Sequence, residues 1–376
     1  MNIPFNKPYL TGKELTYIKE AVEAGKISGN GMFTQKCHDF FCEKYNFKKV
    51  LLTTSCTDAL EMSAILLDIM PGDEVIVPSF TFVSSANAFV LRGAKIKFAD
   101  SLGNNPNIDP GEILRLITPK TKAIVVVHYA GVACQMNEIL KIANDKMIPV
   151  IEDAAQSIDS FFEEKPLGTM GALSTFSFHE TKNIISGEGG MLAINDEELF
   201  ERAEIIWEKG TNRTAMKRGE VDKYGWVDIG SSFLPSEITA AFLYAQLEEL
   251  ESIQARRIFI WEKYYSSLKP LEDRGYINLP ELPSFATNNG HLFYIVCNDN
   301  ITRDELIKYL NDKGILAVFH YLSLNQSPYY LANYEGFSLP NSERFEKRLV
   351  RLPLYYEIND EQLDIVINQI TSFFEK

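Results

Sequence analysis

The sequence has few cysteines, and none of them form a Cys-x-x-Cys pair. The five are Cys37, Cys42, Cys56, Cys134 and Cys297, and the two closest in sequence have no matching cluster of histidines. Structural metal sites and the disulfide frameworks of small secreted domains depend on regularly spaced ligands or cysteines. We therefore expect reduced thiols, no disulfide bond and no metal site.

The sequence also lacks an excess of positive charge and any long apolar run. Its formal net charge is −14, so the average field would repel nucleic acids and anionic membrane surfaces. Residues 1–8 show neither the basic nor the apolar region of a signal peptide, and no segment approaches the length of a membrane span. We therefore expect a cytoplasmic protein with no nucleic-acid partner and no membrane partner. A small anionic substrate stays compatible with this charge, because a local pocket can be basic.

Apolar segments of strand length alternate with helical patterns through the first half of the chain. The predicted strands include residues 50–53, 74–78, 95–99, 123–127 and 150–153. Continuous apolar strands separated by helices are typical of crossover units, which build a mostly parallel sheet covered on both faces. In such sheets, ligands bind beyond the carboxyl ends of the strands. The sequence therefore predicts an α/β fold with its site at that edge.

The pattern changes in the C-terminal part of the chain. A helical pattern extends from residue 236 to about residue 269, where Pro270 is expected to end it, and a second α/β pattern follows. The predicted strands and helices of this second pattern are residues 291–297, 302–313, 316–320 and 360–374. Because 376 residues exceed what one core usually supports, we expect a large domain of residues 1–250 and a small domain of residues 251–376.

A single lysine, Lys182, follows a Phe-rich apolar run within residues 175–190. Burial would remove water from its ammonium group, lower its pKa and make the neutral amine a nucleophile toward a carbonyl compound. Alternatively, the side chain extends from a strand end into water. The segment by itself favours neither interpretation.

Two further motifs lie at predicted strand ends. The small hydroxylated turn of residues 55–57 leads from a strand into a helix, which leaves backbone N–H groups free to bind an anion unless the turn is an ordinary helix cap. Asp153 ends a buried strand, where an ionised carboxylate needs a cationic or hydrogen-bonding partner. Its alternative role is to cap a helix that begins at Ala154. Both motifs are expected to face one crevice.

Six motifs in a fixed order carry a family resemblance. They are residues 55–61 (SCTDALE), 72–82 (GDEVIVPSFTF), 127–131 (VHYAG), 152–156 (EDAAQ), 176–183 (FSFHETKN) and 187–190 (GEGG). Through them the chain resembles the DegT/DnrJ/StrS family of sugar aminotransferases over essentially its whole length. The resemblance implies an aspartate-aminotransferase-like (type I) fold, with a mostly parallel sheet in the large domain, and pyridoxal 5′-phosphate (PLP) as cofactor.

The resemblance also implies roles around the cofactor ring. Lys182 corresponds to the catalytic lysine, which binds PLP through an imine and later moves a proton. Asp153 corresponds to the partner of the pyridinium nitrogen, and Gln156 to the contact of the ring hydroxyl. Phe82 corresponds to the aromatic side chain that stacks on the ring.

For the cofactor phosphate, the resemblance implies binding by Cys56, Thr57 and Ser177 near a helix N-terminus. It further implies a homodimer with shared active sites, in which the partner subunit's Ser232 reaches the phosphate. Ser232 stands where many relatives have asparagine, but Ser231-Ser232 is the usual form in one subgroup of the family.

That subgroup aminates C4 of a dTDP-4-keto-6-deoxyhexose with glutamate as donor, and residues 31–34, 208–213 and 228–232 are similar to it. The products would be 2-oxoglutarate and dTDP-4-amino-4,6-dideoxygalactose, an amino sugar of enterobacterial common antigen and related surface glycans such as lipopolysaccharide. The candidate substrate-binding residues are Phe33, Asn183, Arg213, His320 and Tyr321. The segment His320–Asn325 departs from the family's usual motif, which ends in histidine.

Other functions stay open at this point. The shape of the pocket, rather than the cofactor motifs, would distinguish amination at C3 or a gluco product from the C4 galacto product. A dehydratase is disfavoured because those relatives replace the lysine with histidine, whereas Lys182 is present. A PLP-binding sensor without turnover is the alternative from a different class, since a fold does not by itself define a function.

Overall fold

The computed structural model describes residues 2–333 and 338–375. Its helices are α1 (Glu14–Glu23), α2 (Met32–Tyr45), α3 (Cys56–Leu66), α4 (Ser84–Val90), α5 (Pro110–Leu116), α6 (Met136–Asp145), α7 (Phe200–Trp207), α8 (Arg213–Lys217), α9 (Glu237–Glu248), α10 (Leu250–Asp273), α11 (Asn300–Asp312), α12 (Pro328–Leu331), α13 (Pro340–Arg348) and α14 (Asp360–Phe374). Its strands are β1 (Lys49–Thr53), β2 (Glu74–Pro78), β3 (Lys95–Ala99), β4 (Thr121–Val127), β5 (Val150–Asp153), β6 (Phe161–Phe162), β7 (Lys165–Pro166), β8 (Leu173–Ser177), β9 (Gly190–Ile194), β10 (Ile277–Asn278), β11 (Phe293–Cys297) and β12 (Leu349–Leu352).

Seven strands form the central sheet in the order β1-β9-β8-β5-β4-β2-β3. The neighbours from β8 to β3 pair in parallel, and β9 is antiparallel to both β8 and β1. Strands β2 and β5 are buried along their whole length, as expected where helices cover both faces of a sheet. The predicted α/β class with a mostly parallel central sheet is confirmed.

The reversal at β9 brings several chain segments to one edge of the sheet. Because β9 runs opposite to β1 and β8, its first residue, Gly190, lies beside Thr53 and Ser177, the last residues of those strands. Asp153 ends β5 at the same edge. The carboxyl ends of the parallel strands and the start of β9 therefore face one crevice, which is where ligands of such sheets bind.

A second sheet, with the strand order β10-β11-β12, is antiparallel and has its own hydrophobic core. Helix α10 connects the two parts of the molecule. Its first turn places Leu250 and Ile253 in a core beneath the central sheet, whereas Ile260 and the residues after it pack in the core of the small sheet. The division into domains of residues 1–250 and 251–376 stays a prediction.

Two predicted elements differ in the structure. The helical pattern of residues 236–269 forms two helices, α9 and α10, and Pro270 lies inside α10 instead of ending it. The proline costs one backbone hydrogen bond near the helix end, while the buried side chains of Leu268 and Leu271 keep that turn packed. Residues 316–320 do not form a strand, and within them Val318 makes only an isolated bridge to Arg351.

Within residues 2–333 and 338–375, none of the helices combines the length and the apolar character needed to cross a membrane. The same residues contain no group of three or more His, Cys, Asp or Glu side chains placed to hold a metal ion. The five cysteines are free thiols, three of them buried.

Candidate active site

A cavity of about 530 Å³ opens at the carboxyl edge of the central sheet. The residues predicted from the sequence that line it are Cys56, Thr57, Phe82, Asp153, Gln156, Ser177, Lys182, His320 and Tyr321. The first seven come from the central sheet and its connections, and the last two come from the segment between α11 and α12. The structure therefore brings the predicted cofactor-binding residues together, with the exception of Ser232.

Lys182 lies on the turn that follows β8. The turn is fixed by its own backbone, because the Lys182 N–H donates to the His179 carbonyl at 2.9 Å. The side chain lines the cavity, where burial lowers the pKa of Lys182; the nearby Cys56 and Asp153 oppose this shift and Arg351 adds to it. A lowered pKa increases the fraction of neutral amine, which is the form that reacts with a carbonyl group.

Asp153 is buried at the end of β5 and is held by two hydrogen bonds. Its Oδ2 accepts from Ser85 Oγ at 2.6 Å, and its Oδ1 accepts from the Ala155 N–H at 3.2 Å. Burial raises the pKa of Asp153, whereas these hydrogen bonds and the positive charge of Lys182 oppose the rise. A cation placed against the carboxylate in the cavity would lower the pKa again.

A buried hydrogen-bonding network around Glu152 supports Asp153 from the other face of β5. Glu152 accepts hydrogen bonds from the N–H groups of Gly168, Met170 and Gly171 at 2.6–2.8 Å. It also lies 3.0 Å from His128 Nε2. Burial opposes ionisation of Glu152, but His128 and these N–H groups outweigh it and lower the pKa of the carboxyl group. The network fixes the strand end that presents Asp153, and sequence reasoning did not identify it.

Gln156 is fixed on both sides of its amide group. Its Oε1 accepts from the Ala130 N–H at 2.6 Å, and its Nε2 donates to the Tyr321 hydroxyl at 3.0 Å. Tyr321 in turn lies close to Phe82, with ring centroids 6.2 Å apart. Phe82 is 56% exposed, so one face of its ring is available to a planar ligand.

The turn of residues 55–57 begins α3 and forms an anion-binding cradle. Ser55 is the N-cap, and its Oγ accepts from the Asp58 N–H at 3.1 Å. The preceding N–H groups, those of Cys56 and Thr57, are left for a ligand at the positive end of the helix dipole. The Thr57 hydroxyl lies 2.7 Å from Ser84 Oγ, which also lines the cavity.

Asn325, which replaces the family's usual histidine, does not line the cavity. Its side chain is buried, and its Oδ1 accepts a hydrogen bond from Ser79 Oγ at 2.7 Å. Its backbone N–H donates to Ser79 Oγ at 3.3 Å. The Ser79 carbonyl also accepts from the Leu324 N–H at 2.9 Å. These bonds fasten the segment that carries His320 and Tyr321 to the end of β2.

Four predicted residues lie outside the cavity. The assignment of Phe33 to substrate binding requires a correction, because its side chain is fully buried in the core against Tyr17 and Tyr244. Asn183 is also buried, and its amide bridges His291 Nδ1 at 2.8 Å and the Asn289 carbonyl at 2.9 Å. It therefore positions neighbouring groups rather than facing the cavity.

Arg213 and Ser232 are exposed and do not line the cavity of their own chain. Arg213 begins the short helix α8 and contacts the Tyr224 ring. Ser232 makes an isolated bridge with Glu208. The predicted role of Ser232, which requires a second subunit, stays a prediction.

The cavity also contains residues that sequence reasoning missed, notably Ser84, His291 and Arg351. Ser84 lies two residues after Phe82 and could have been found from its place after a strand end. Arg351 belongs to β12 of the small sheet, and His291 lies just before β11 of the same sheet. The strand order alone does not place this sheet against the central sheet. No local motif around Arg351 indicates a site.

The functional groups that line the cavity match the groups of the expected cofactor. They offer an amine for a carbonyl group at Lys182, a carboxylate for a cationic ring nitrogen at Asp153, and free N–H groups for a phosphate at the start of α3. PLP carries a carbonyl group, a basic ring nitrogen and a phosphate. The match rests on three separate features of the cavity. The alternative in which Lys182 only extends into water would explain neither the carboxylate of Asp153 nor the free N–H groups at the start of α3.

Comparisons with known proteins agree with this chemistry. A model of the DegT/DnrJ/EryC1/StrS aminotransferase family matches residues 8–371. The chain is 31% identical over 377 residues to the spore coat polysaccharide biosynthesis protein SpsC of Bacillus subtilis (strain 168), and the match covers 98% of this chain and 96% of that protein.

Solved structures show the same similarity. The aminotransferase TlmJ from Streptoalloteichus hindustanus superposes with a TM-score of 0.91 at 29% identity, covering 99% of each chain. Spr1654 from Streptococcus pneumoniae superposes in its PMP form with a TM-score of 0.92 and in its PLP form with 0.91, at 25% identity, covering 100% of this chain and 99% of that one.

Proposed function

The chain belongs to the DegT/DnrJ/EryC1/StrS aminotransferase family, which is PLP-dependent, and we propose that it transfers an amino group from glutamate to C4 of a dTDP-4-keto-6-deoxyhexose. The products are 2-oxoglutarate and dTDP-4-amino-4,6-dideoxygalactose, so an amino group and a keto oxygen exchange places between the two substrates. The observation that carries the proposal is the one cavity shared by Lys182, Asp153 and Gln156.

When bound, PLP supplies an electron-withdrawing ring that stabilises negative charge on the carbon atom that loses or gains the amino group. Asp153 would hold the ring nitrogen in its protonated form, and Gln156, fixed by Ala130 and Tyr321, would hold the ring hydroxyl. The N–H groups of Cys56 and Thr57 would hold the phosphate at the start of α3.

Lys182 would move the proton during the reaction. Because burial lowers the pKa of its amine, Nζ is better suited to accept a proton from the substrate carbon and return it. No hydrogen bond among the described residues restrains Nζ, so the side chain can turn between the atoms it must reach. His320 and Tyr321 border the same cavity from the small-domain side and would orient the substrates.

The choice of substrate is supported by the segments of residues 31–34, 208–213 and 228–232, which are similar to the C4-specific subgroup. SpsC supports the broader class, since it is named for polysaccharide biosynthesis. Phe33 lies within the first of these segments, in the first turn of α2, although its side chain is buried. The finer assignment to the galacto product rests on the subgroup motifs.

A homodimer forms part of the proposal. The segment before Ser232 exposes apolar side chains, with Trp226 85%, Tyr224 53% and Val227 54% exposed. Clustered exposed apolar groups of this kind favour burial against another surface. A second copy of the chain would cover them and bring Ser232 and Arg213 to the partner's cavity.

Product analysis tests the proposal directly. The protein would be incubated with PLP, glutamate and dTDP-4-keto-6-deoxyglucose, and the sugar product identified by NMR. We expect an amino group at C4 with galacto configuration. Lys182→Ala should abolish turnover, whereas Lys165→Ala, which removes an exposed lysine of β7, should leave it unchanged.

Two results would redirect the assignment. An amine at C3 or a gluco configuration would support the first alternative and refute the C4 galacto product. Persistence of the visible absorbance of the lysine-bound cofactor after glutamate is added would show that no amino group is transferred, and would favour a PLP-binding sensor.

A further inference from the structure

His291 lines the cavity, and the reaction described above gives it no role. It lies just before β11, and its side chain is buried. Its backbone is held on both sides, because its N–H donates to Asn289 Oδ1 at 3.0 Å and its carbonyl accepts from Arg257 Nη2 at 2.7 Å. The position of the imidazole ring is therefore set before any ligand binds.

The hydrogen bonds of Asn183 determine which nitrogen of His291 carries the proton. Asn183 Nδ2 lies 2.9 Å from the Asn289 carbonyl oxygen and 2.8 Å from Gln254 Oε1. A carbonyl oxygen only accepts hydrogen bonds, so the NH₂ group of Asn183 must face it. The amide oxygen of Asn183 then faces His291 Nδ1 at 2.8 Å. Because this oxygen also only accepts, Nδ1 must carry the hydrogen.

The second ring nitrogen of His291, Nε2, is consequently an acceptor whenever the ring is neutral. Burial is the first cause that lowers the pKa of His291 well below its usual range, and positive charge from Lys182 and Arg257 adds to it. The hydrogen bonds that His291 makes with residues 2–333 and 338–375 use its N–H, its carbonyl and Nδ1. Nε2 is therefore the polar atom that the ring offers to a ligand in the cavity.

We propose that His291 Nε2 accepts a hydrogen bond from the C3 hydroxyl group of the keto sugar and so makes the site selective for sugars with that hydroxyl. The inference rests on the proposed C4 reaction and adds a residue that recognises the substrate. A neutral acceptor buried beside cations suits a neutral donor such as a hydroxyl group. The carboxylates of glutamate are unsuitable, because they only accept hydrogen bonds.

The position of Lys182 indicates which hydroxyl group is bound. In the proposed reaction C4 lies at Lys182, whose positive charge acts on His291. Of the two ring carbons next to C4 in a 6-deoxyhexose, only C3 carries a hydroxyl group. His291, within the range of the lysine charge, is therefore suited to the hydroxyl beside the reacting carbon.

Binding measurements without turnover test the inference. The ligands are dTDP-6-deoxyglucose, which has a hydroxyl group at C4 and cannot be aminated, and dTDP-3,6-dideoxyglucose, which differs from it only by lacking the C3 hydroxyl. Both would be titrated by calorimetry into the protein loaded with pyridoxamine 5′-phosphate. We expect the parent protein to bind the first ligand about 10- to 100-fold more tightly, because the second leaves a buried acceptor without its donor.

Two substitutions of His291 separate the roles of its ring nitrogens. In His291→Asn the side-chain amide can take the place of Nδ1 and still donate to Asn183, but no atom takes the place of Nε2. This variant should unfold at the same temperature as the parent protein and bind both ligands with affinities within about twofold of each other. In His291→Gln the amide oxygen can take the place of Nε2, so part of the preference should return.

Asn298→Ala is the matched control, because Asn298 is exposed at the opposite end of β11 and bonds to the Gly275 carbonyl. It should keep the preference of the parent protein for the C3 hydroxyl.

Equal affinity of the parent protein for the two ligands would overturn the inference, and this comparison needs no variant. A folded His291→Asn protein that keeps the full preference would also overturn it, because another group would then bind the C3 hydroxyl. A failure of the proposed C4 reaction is recognised separately, by the position of the amino group in the NMR analysis of the product.

Discussion

Substitution of Gly190 by alanine tests the cradle at the start of α3. Gly190 begins β9 and pairs with Thr53 on one side and Ser177 on the other. A Cβ atom at this position would lie 2.4 Å from the Cys56 nitrogen, 2.4 Å from the Ser55 carbonyl carbon and 2.5 Å from the Ser55 oxygen. These are backbone atoms, so the contact cannot be relieved by a side-chain rotation.

The size of the effect follows from these distances. Non-bonded carbon contacts are normally about 3.5 Å or longer, so the turn of residues 55–57 must move by about 1 Å. Displacements of this size at a binding site can cost about 10²-fold in function. We therefore expect Gly190→Ala to weaken PLP binding about 10- to 100-fold and to lower the free energy of unfolding by about 1–3 kcal/mol through overpacking.

The assay is a fluorescence titration of the cofactor-free protein with PLP, accompanied by urea unfolding. Gly103→Ala is the matched control, because its Cβ would meet no atom within 4 Å and its affinity should equal that of the parent protein. A Gly190→Ala protein that is folded and binds PLP with unchanged affinity would refute the assignment of residues 55–57 as the phosphate cradle.

Three further predictions concern stability and the position of the site. Lys182→Met should stabilise the cofactor-free protein at neutral pH, because burial lowers the pKa of Lys182 in the folded state and the unfolded chain then binds more protons up to the ordinary pKa of 10.5. The free energy of unfolding of the parent protein should therefore rise as the pH approaches 10.5. The difference in unfolding free energy between Lys182→Met and the parent, measured by urea unfolding at several pH values, should shrink over the same range. A difference that stays constant with pH would contradict this explanation. Glu152→Ala should lower the free energy of unfolding by about 3–5 kcal/mol, since it leaves His128 and three N–H groups without their acceptor; a loss below about 1 kcal/mol in chemical denaturation would contradict a structural role. Asn325→Ala should raise the KM of both substrates with a stability loss of about 1–3 kcal/mol, because Ser79 loses its buried partner; steady-state kinetics with unchanged KM values would show that the segment does not need this anchor.

Much of the large domain could be predicted from local pattern. The strands Glu74–Pro78, Lys95–Ala99 and Val150–Asp153 have the predicted bounds, because continuous apolar runs flanked by turn residues leave little choice of element. The C-terminal part was harder to predict. Residues 316–320 are as apolar as a strand, but they lie beside Arg351 with one isolated bridge, and such pairing depends on neighbours distant in sequence.

The site shows the same division. Lys182, Asp153 and Gln156 sit at strand ends, and chain direction in a parallel sheet dictates that strand ends share an edge. Phe33 was placed wrongly because a glycine-rich loop before an aromatic residue suggests a ligand contact, whereas packing against Tyr17 and Tyr244 buries the ring.

The sequence by itself determined the family, the parallel sheet and the residues that meet at its carboxyl edge, because motif order and hydrophobic period are local properties of the chain. Only the tertiary structure decided which groups close the cavity from the small-domain side. Arg351 and His291 come from segments more than a hundred residues beyond Lys182, and their approach depends on how α10 and the small sheet pack against the large one. Charge and burial at that wall are therefore properties of the folded molecule.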